Sequence, residues 1–262
     1  MIQHNEVNDL EEKAGSKMKA LITGANKGIG FAIATEMAKQ GIEVFVGARS
    51  KDRGLAAVNE LASQGLKAHY VQIDLQDQAS IERAASEIDD LDILVNNAGI
   101  PDSPKAGQPA LQMNKAVEEY SNDDLRLTME VNFLGTHAVI SQFLPKMTAT
   151  GKIINLTVPI QPNEFWHPLA YMTSKAALNA MIMGYAWEFD AKHQQRQIFG
   201  VLPGAIATDL NGTMVGDLGG LVRSSEDAGK LITKLALDSV NHNGEIIQYD
   251  GKILSDYEAQ LR

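Results

Sequence analysis

Tyr171 and Lys175 are two side chains whose types and spacing suit proton transfer, in the segment Y-M-T-S-K. On a helix, residues four positions apart share a face, so the lysine ammonium would lie beside the phenol. A nearby positive charge favours the tyrosinate and lowers the pKa of a tyrosine, which makes proton exchange easier near neutral pH. An ordinary helical pair of polar residues has the same spacing, so this pair needs support from the rest of the sequence.

A glycine-rich turn follows the first apolar run, in A-L-I-T-G-A-N-K-G-I-G at residues 20–30. Glycine permits a sharp turn and the close approach of backbone to a pyrophosphate, and the helix that follows offers free N–H groups. The spacing of Gly24, Gly28 and Gly30 differs from G-x-G-x-x-G, and close glycines also occur in plain turns. Its position after the first strand nevertheless predicts a dinucleotide site.

The end of the second apolar run indicates which dinucleotide is bound. An NAD site carries an acidic residue there, which binds the ribose 2′-hydroxyl. The run Glu43–Gly47 is followed instead by A-R-S-K, so that Arg49 takes the place of the acid. An arginine fork suits a 2′-phosphate, and Lys27 in the glycine-rich turn adds a second cation. A solvated basic turn is the competing interpretation, and we predict NADP(H).

The positions of these side chains depend on the strands and helices around them. From Met18 onward, short apolar runs alternate with helical patterns. Unbroken β-branched runs are typical of parallel strands that are buried on both faces. The alternation predicts an α/β fold, a single-domain Rossmann-type doubly wound parallel sheet with helices on both faces. We predict this domain over residues 18–262, after a flexible N-terminal extension at residues 1–17. The strand-like runs are Lys19–Thr23, Glu43–Gly47, Ala68–Ile73, Ile93–Asn96, Lys152–Thr157, Ile198–Leu202 and Glu245–Gln248.

Composition disfavours or excludes other classes of protein. The 262 residues contain no cysteine, which excludes disulfide frameworks and thiolate metal sites, and the six histidines lack metal-ligand spacing. The net charge of −10 disfavours nucleic acid as a partner. No run of 18 apolar residues exists, so no membrane span is predicted. The polar N-terminus does not fit a signal peptide, and we therefore expect a cytoplasmic protein.

Four motifs resemble, in order and spacing, those of the short-chain dehydrogenase/reductase (SDR) family. They are T-G-A-N-K-G-I-G at 23–30, N-N-A-G at 96–99, Y-M-T-S-K at 171–175 and P-G-A-I-A-T at 203–208. The resemblance covers residues 18–252 and is closest to the carbonyl-reductase-like branch. It implies a parallel sheet of about seven strands and an oxidoreductase that transfers hydride between NADP(H) and a small-molecule carbonyl or alcohol substrate.

The resemblance also implies which residues contact the cofactor. In the family, the glycine-rich turn surrounds the phosphates, and the residues after the third strand face the adenine. N-N-A-G borders the adenosine, and P-G-A-I-A-T holds the nicotinamide carboxamide. The matching positions are Gly24, Asn26, Lys27, Gly28 and Ile29, then Asp74 and Leu75, then Asn97, Ala98 and Gly99, and finally Pro203, Ile206 and Thr208.

The family pattern likewise gives roles to the residues near the reacting atoms. It implies that Tyr171 is the general acid/base and that Lys175 tunes the tyrosine and bonds the nicotinamide ribose. Asn132 lies inside a helix predicted over Asn122–Met147, where asparagine is unfavourable. In the family, this asparagine kinks the helix and holds a water of the proton relay. A solvent-facing asparagine is the alternative.

One position departs from the family pattern. The family has a serine thirteen residues before the tyrosine, where its hydroxyl binds the substrate carbonyl oxygen, and this sequence has Val158 there. Thr157 is its neighbour and supplies the missing hydroxyl if the loop Pro159–Pro168 contains one extra residue. Otherwise the donor is absent and Tyr171 works alone.

Two further alternatives stay open at this stage. The missing serine raises a different function, a catalytically weakened NADP(H)-binding sensor or interaction protein. The family suggests a homodimer or homotetramer, with a monomer as the other arrangement. The substrate is not readable, because its pocket is built from loops that match no motif.

Overall fold

The computed structural model describes residues 17–101, 115–164, 166–208 and 212–255. Residues 1–16 of the predicted extension and residues 256–262 of the predicted domain lie outside these ranges. Within the described residues, eight strands form one sheet in the order β3-β2-β1-β4-β5-β6-β7-β8, and all pairs are parallel except β7 with β8. The strands are β1 (Lys19–Thr23), β2 (Glu43–Ala48), β3 (Ala68–Gln72), β4 (Leu91–Asn96), β5 (Met147–Leu156), β6 (Gln197–Leu202), β7 (Ile246–Gln248) and β8 (Ile253–Ser255).

Helices cover both faces of this sheet. One face is packed by α1, α2 and α7 through side chains such as Ile33, Leu61 and Ile232, and the other by α3, α5 and α6. Because both faces are covered, the central strands are apolar throughout rather than alternating. The helices are α1 (Gly28–Lys39), α2 (Lys51–Ser63), α3 (Gln78–Glu87), α4 (Asn122–Met129), α5 (Thr136–Phe143), α6 (Leu169–Ala191) and α7 (Ser225–Leu237).

The predicted fold class is confirmed, and the predicted strands agree with the structure to within a few residues at their ends. One element was missed. A turn at Y-D-G-K, in which Gly251 has a φ of +86°, reverses the chain after β7 and lets β8 pair antiparallel. A run of three residues is too short to carry a strand periodicity, which is why the sequence did not predict it.

The segment predicted as a single helix over Asn122–Met147 is helical for most of its length but is not one regular α-helix. It is divided into α4, a π-helical segment at Glu130–Gly135, α5 and a short 3₁₀ turn, and Met147 already belongs to β5. A Cβ at position 135 would lie 2.5 Å from the carbonyl oxygen of Leu75, so the helix approaches the turn after β3 at a glycine. The π-helical segment contains Asn132, the residue whose place in a helix called for an explanation.

The sheet order brings β1 beside β4, although these strands are not consecutive in the chain. In such sheets the crevice beyond the carboxyl ends of these two strands is where ligands bind. Within the described ranges, no helix combines the length and apolarity needed to cross a membrane.

Candidate active site

The turn after β1 is fastened to the end of β4 by Thr23. Its hydroxyl oxygen accepts the backbone N–H groups of Asn97 at 3.1 Å and Ala98 at 3.0 Å. The Asn97 side chain returns the contact, because Nδ2 donates to the carbonyl oxygens of Thr23 at 2.9 Å and Gly24 at 3.2 Å. The amide of Asn97 therefore shapes the glycine-rich turn from within. Sequence reasoning missed Thr23, although it opens the T-G-A-N motif.

The three glycines of this turn have different tasks. Gly24 has a φ of +65°, and a Cβ there would lie 2.9 Å from the Ala98 Cα. A Cβ at Gly30 would lie 2.5 Å from the Gly24 carbonyl oxygen. Gly28 has a φ of +57° and meets only the Thr208 methyl group at 3.8 Å. Gly24 and Gly30 are thus needed for close packing, whereas Gly28 is needed for its backbone conformation beside open space.

The N-terminus of α1 differs from those of α2, α3, α4 and α7. Each of those helices begins with a serine or aspartate whose side chain accepts a backbone N–H group. Helix α1 begins after Lys27, which makes no such side-chain bond, and its first turn contains no acidic residue. Backbone N–H groups and the positive end of the helix dipole are therefore directed at the crevice, where a phosphate would be stabilised.

The positions expected at the adenosine end lie on neighbouring turns. Arg49 follows β2 and is exposed, as are Lys51 and Arg53. Asp74 follows β3, and one of its carboxylate oxygens accepts the backbone N–H of Gln76 at 3.1 Å. Ile29 is partly buried against the core, and Asn26 is partly buried in the turn.

The segment after β6 reaches the same crevice. Ala207 donates its N–H to the carbonyl oxygen of Arg223 at 2.9 Å, and the Arg223 guanidinium donates to the Pro203 carbonyl oxygen. That guanidinium also lies 4.6 Å from the ring centroid of Tyr249. Ile206 is buried, and Thr208 is the neighbour of Gly28 described above. Arg223 thus fixes the P-G-A-I-A-T segment. Sequence reasoning missed this residue, because it belongs to no motif.

Lys175 is buried at the start of α6, close to Tyr171. Its Nζ lies 5.7 Å from the tyrosine ring centroid and donates to the Leu156 carbonyl oxygen at 2.8 Å. Burial lowers the pKa of Lys175 to about 8, because the charged ammonium loses hydration. A Cβ at Gly99 would lie 3.8 Å from this Nζ, so the N-N-A-G turn borders the lysine. Tyr171 itself is partly exposed.

Asn132 joins the turn after β4 to helix α6. Its Oδ1 accepts the Ile100 N–H at 2.8 Å, and its Nδ2 donates to the Ile100 carbonyl oxygen at 2.8 Å and to Ser174 Oγ at 3.0 Å. Ser174 in turn donates to the Tyr171 carbonyl oxygen at 2.7 Å. The solvent-facing alternative for Asn132 is wrong, because the residue is fully buried. Sequence reasoning missed Ser174, although it stands next to Lys175 in Y-M-T-S-K.

The strand-end hydroxyl of Thr157 is directed into the protein, toward α6. Thr157 is 2% exposed, and its Oγ1 donates to Asn179 Oδ1 on α6 at 2.7 Å. Val158, at the position of the family serine, is partly exposed and has no polar atom in its side chain. This arrangement does not support the expectation that Thr157 supplies the missing hydroxyl, and it favours the alternative in which the donor is absent.

The expected residues therefore gather at one edge of the sheet, in two adjoining groups. The first surrounds the N-terminus of α1, and the second surrounds Lys175. Gly99 connects them, because it follows Asn97 in the turn and a Cβ there would lie 3.0 Å from Asn132 Oδ1. The hydroxyl of Thr157 is directed toward Asn179 on α6 rather than toward Lys175.

Comparison with known proteins agrees with this arrangement. The sequence pattern of the family described as short chain dehydrogenase matches residues 18–218. A gluconate 5-dehydrogenase from Gluconobacter oxydans is 31% identical over 77% of this chain and 76% of its own length. NADPH carbonyl reductase 1 from Mus musculus is 34% identical, over 55% of this chain and 50% of its own length.

A solved structure shares the fold as a whole. A dehydrogenase/reductase from Sinorhizobium meliloti superimposes with a TM-score of 0.74 at 28% identity, over 88% of this chain and 92% of that chain. The family pattern spans most of the chain, and the motif residues meet at one edge of the sheet. The chain belongs to the short-chain dehydrogenase/reductase family of oxidoreductases.

Proposed function

We propose that this protein is an NADP(H)-dependent oxidoreductase that interconverts a carbonyl and an alcohol group of a small molecule, with Tyr171 as the general acid/base. One observation carries the proposal. A buried lysine with a lowered pKa lies beside Tyr171, at the same sheet edge as the open N-terminus of α1. A perturbed titratable group in a crevice that also suits phosphate is typical of an active site.

The residues of the crevice fit a phosphorylated dinucleotide. Gly28 and the first N–H groups of α1 would hold the pyrophosphate, and the exposed Arg49 would hold the 2′-phosphate together with Lys27. The segment ending at Thr208 would hold the nicotinamide carboxamide. The NADPH named for the mouse relative supports the same cofactor.

The chain's own residues supply the proton chemistry. When bound, NADP(H) supplies or accepts the hydride. Tyr171 donates a proton to the carbonyl oxygen in reduction and accepts one from the alcohol in oxidation. Lys175 holds positive charge near the phenol and so favours the tyrosinate. Asn132 and Ser174 keep the first turn of α6 in register with the turn after β4.

The strand end contributes no hydroxyl to the substrate oxygen. Tyr171 is then the one donor that we assign to it. Loss of an oxyanion donor costs on the order of 3 kcal/mol in transition-state stabilisation, which slows an enzyme without abolishing its reaction. The protein should therefore work more slowly than a relative that has the serine.

The test of the proposed function is NADPH oxidation with a panel of aldehydes, ketones and quinones, followed by absorbance at constant pH. Cofactor binding is measured separately by fluorescence titration. We expect both binding and turnover. Tight NADPH binding with no turnover of any carbonyl compound would contradict the proposed function. It would favour the alternative, a catalytically weakened NADP(H)-binding sensor or interaction protein.

The choice of cofactor is tested with Arg49→Asp. Removing the guanidinium and adding a carboxylate should weaken NADPH binding by about 10–100-fold, since a hydrogen bond to a charged group contributes about 1.5–3 kcal/mol. NADH binding should improve relative to NADPH. Lys67→Asp, at another exposed basic residue, is the matched charge control. An unchanged ratio of the two affinities would remove Arg49 from the site.

The remaining assignments rest on the sequence. We place the protein in the cytoplasm and keep a homodimer or homotetramer, with a monomer as the alternative, as its expected assembly.

A further inference from the structure

We propose that the substrate is an apolar cyclic or aryl ketone, or the matching alcohol, and that Trp166 is the residue that selects it. This inference rests on the proposed function, because it concerns the substrate side of the same site. It arises from an apolar wall, defined as Trp166, whose ring contacts Tyr171, together with Val158 and Ile160, which flank the Pro159 that accepts the indole N–H.

Trp166 is held against the tyrosine. The two ring centroids are 6.3 Å apart, with an interplanar angle of 68°, which is an edge-to-face contact. The indole Nε1 donates to the Pro159 carbonyl oxygen at 2.9 Å. Backbone bonds of 2.9 and 3.1 Å pair Trp166 with Asn163 and close the loop. The indole is therefore fixed, its polar atom is occupied, and it offers apolar surface.

The strand end next to this loop is apolar as well. Val158 is partly exposed where the family carries a serine, and Ile160 is 47% exposed. The Thr157 hydroxyl is directed into the protein toward Asn179. A substrate rich in hydroxyl groups would leave them without partners against this wall, whereas an apolar ring would gain by leaving water.

The nearby amide side chains do not restore polarity. Asn97 binds the carbonyl oxygens of the glycine-rich turn, and Asn132 binds Ile100 and Ser174. In the described part of the chain, both amides thus have backbone or side-chain partners of their own. Gluconate, which is named for one relative, is rich in hydroxyl groups. Its keto form is therefore the most informative compound to compare with an apolar ketone.

The first experiment compares substrates of the wild-type protein. NADPH oxidation is followed with 1-tetralone, cyclohexanone and 5-keto-D-gluconate. We expect kcat/KM for 1-tetralone to exceed that for 5-keto-D-gluconate by at least ~10-fold, the scale of discrimination that one apolar contact provides. A preference for 5-keto-D-gluconate would overturn this inference and leave the proposed function intact. Absence of turnover with every carbonyl compound would overturn both.

The second experiment changes the wall. Trp166→Ala should lower kcat/KM for 1-tetralone by about 10-fold or more and change that for propanal little, because propanal is too small to cover the indole. Trp166→Phe keeps a ring without the Nε1 bond and should restore most of the preference. An equal loss for both substrates would make Trp166 a structural residue and contradict the proposal.

Trp187 is the matched control for these variants. It is 54% exposed on the same helix as Tyr171, roughly 24 Å further along the helix axis at 1.5 Å per residue. Trp187→Ala should leave the ratio of the two kcat/KM values unchanged. A changed ratio in this variant would mean that the ratio does not report on the wall.

The third experiment needs no turnover. The chain contains two tryptophans, so Trp187→Phe leaves Trp166 as the sole indole emitter. Titrating 1-tetralone into this variant loaded with NADP⁺ should change its emission saturably, and 5-keto-D-gluconate should not. Unchanged emission with 1-tetralone would overturn the proposal even if some ketone is reduced.

Discussion

The two halves of the crevice use their polar side chains in different ways. On the cofactor side, Thr23 and Asn97 bind backbone groups of neighbouring turns and so fix the path of the chain. On the substrate side, the Thr157 hydroxyl and the Trp166 indole N–H are also occupied, but their occupation leaves an apolar wall facing the site. In both halves, these polar side chains have hydrogen-bond partners within the protein. In the cofactor half the bonds shape the turns of the cofactor site, whereas in the substrate half they leave apolar surface facing the site.

This difference explains why the sequence predicts the cofactor half of the crevice better than the substrate half. The cofactor half depends on backbone geometry, which demands particular residue types at fixed spacing. The substrate half depends on which way one hydroxyl turns and on how a loop folds. The comparison predicts that substitutions in the two halves have separable effects on cofactor binding and on turnover.

The largest separable effect is expected for Tyr171→Phe. This change removes only the hydroxyl group, so kcat/KM should fall by about 10²–10⁴-fold through loss of the general acid. NADPH affinity, measured by fluorescence titration, should be unchanged. Full activity would contradict the assignment of Tyr171 as the general acid. A parallel loss of NADPH binding would show that the two halves of the crevice are not independent.

The next effect concerns Lys175, which adjoins both halves. Its folded-state pKa of about 8 lies below the ordinary lysine pKa of 10.5, so the unfolded chain binds more protons between these pH values. Stability should therefore rise with pH in this window, as the burial cost of the ammonium disappears, by roughly 3 kcal/mol relative to Lys175→Met.

Urea unfolding of the wild type and of Lys175→Met between pH 7 and 11 measures this difference. Lys67→Met, at an exposed position, is the control and should run parallel to the wild type. Parallel curves for Lys175→Met as well would mean that the lysine is hydrated in solution.

A smaller effect is expected for Thr23→Val in the cofactor half. Valine keeps the shape but leaves the N–H groups of Asn97 and Ala98 without their acceptor. Unsatisfied buried groups cost about 1–3 kcal/mol, so we expect a loss of roughly 2 kcal/mol in unfolding free energy and weaker NADPH binding. Unchanged NADPH affinity would argue against a cradle built by Thr23.

The smallest effect is expected for Thr157→Val in the substrate half. It removes the bond to Asn179 and should lower stability by about 1 kcal/mol without slowing turnover. Val158→Ser is the matched gain, because it places a hydroxyl at the family position and should raise kcat by about tenfold or more. A slower Thr157→Val enzyme would restore Thr157 as the substrate donor.

Much of this molecule was predictable from its sequence because local and global signals agree. The strands are apolar runs between helical patterns. Three of the four motifs lie at the ends of strands, where ligand sites form, and the fourth, Y-M-T-S-K, lies in the first turns of α6. The irregularity between α4 and α5 was predictable in part: the family resemblance implies a kink at Asn132, whereas its π-helical form was not readable from the spacing of apolar residues. Its position is linked to a tertiary contact, that of Gly135 with Leu75.

The direction of Thr157 was within reach of the sequence. Thr157 continues the alternation of β5, so it shares a face with Asn155 and Ile153, which pack toward the side of the sheet that carries α6. The next residue, Val158, leaves that alternation and is partly exposed. The prediction for Thr157 counted hydroxyl positions along the motif and did not consider that successive side chains of a strand point to opposite faces of the sheet. Ser174 was out of reach, because its partner Asn132 lies 42 residues away.

Strand β8 also bears on the behaviour of the protein at high concentration. Ile246 and Ile247 of β7 are nearly fully buried, and β8 pairs with the side of β7 that faces away from β6. Without β8, an apolar strand would present unpaired N–H and C=O groups, a template on which another chain can add a strand. The three residues Ile253–Ser255 form the outer strand on this side in its place. So short a strand offers an incoming chain few groups to pair with, although Ile253 and Leu254 are about half exposed.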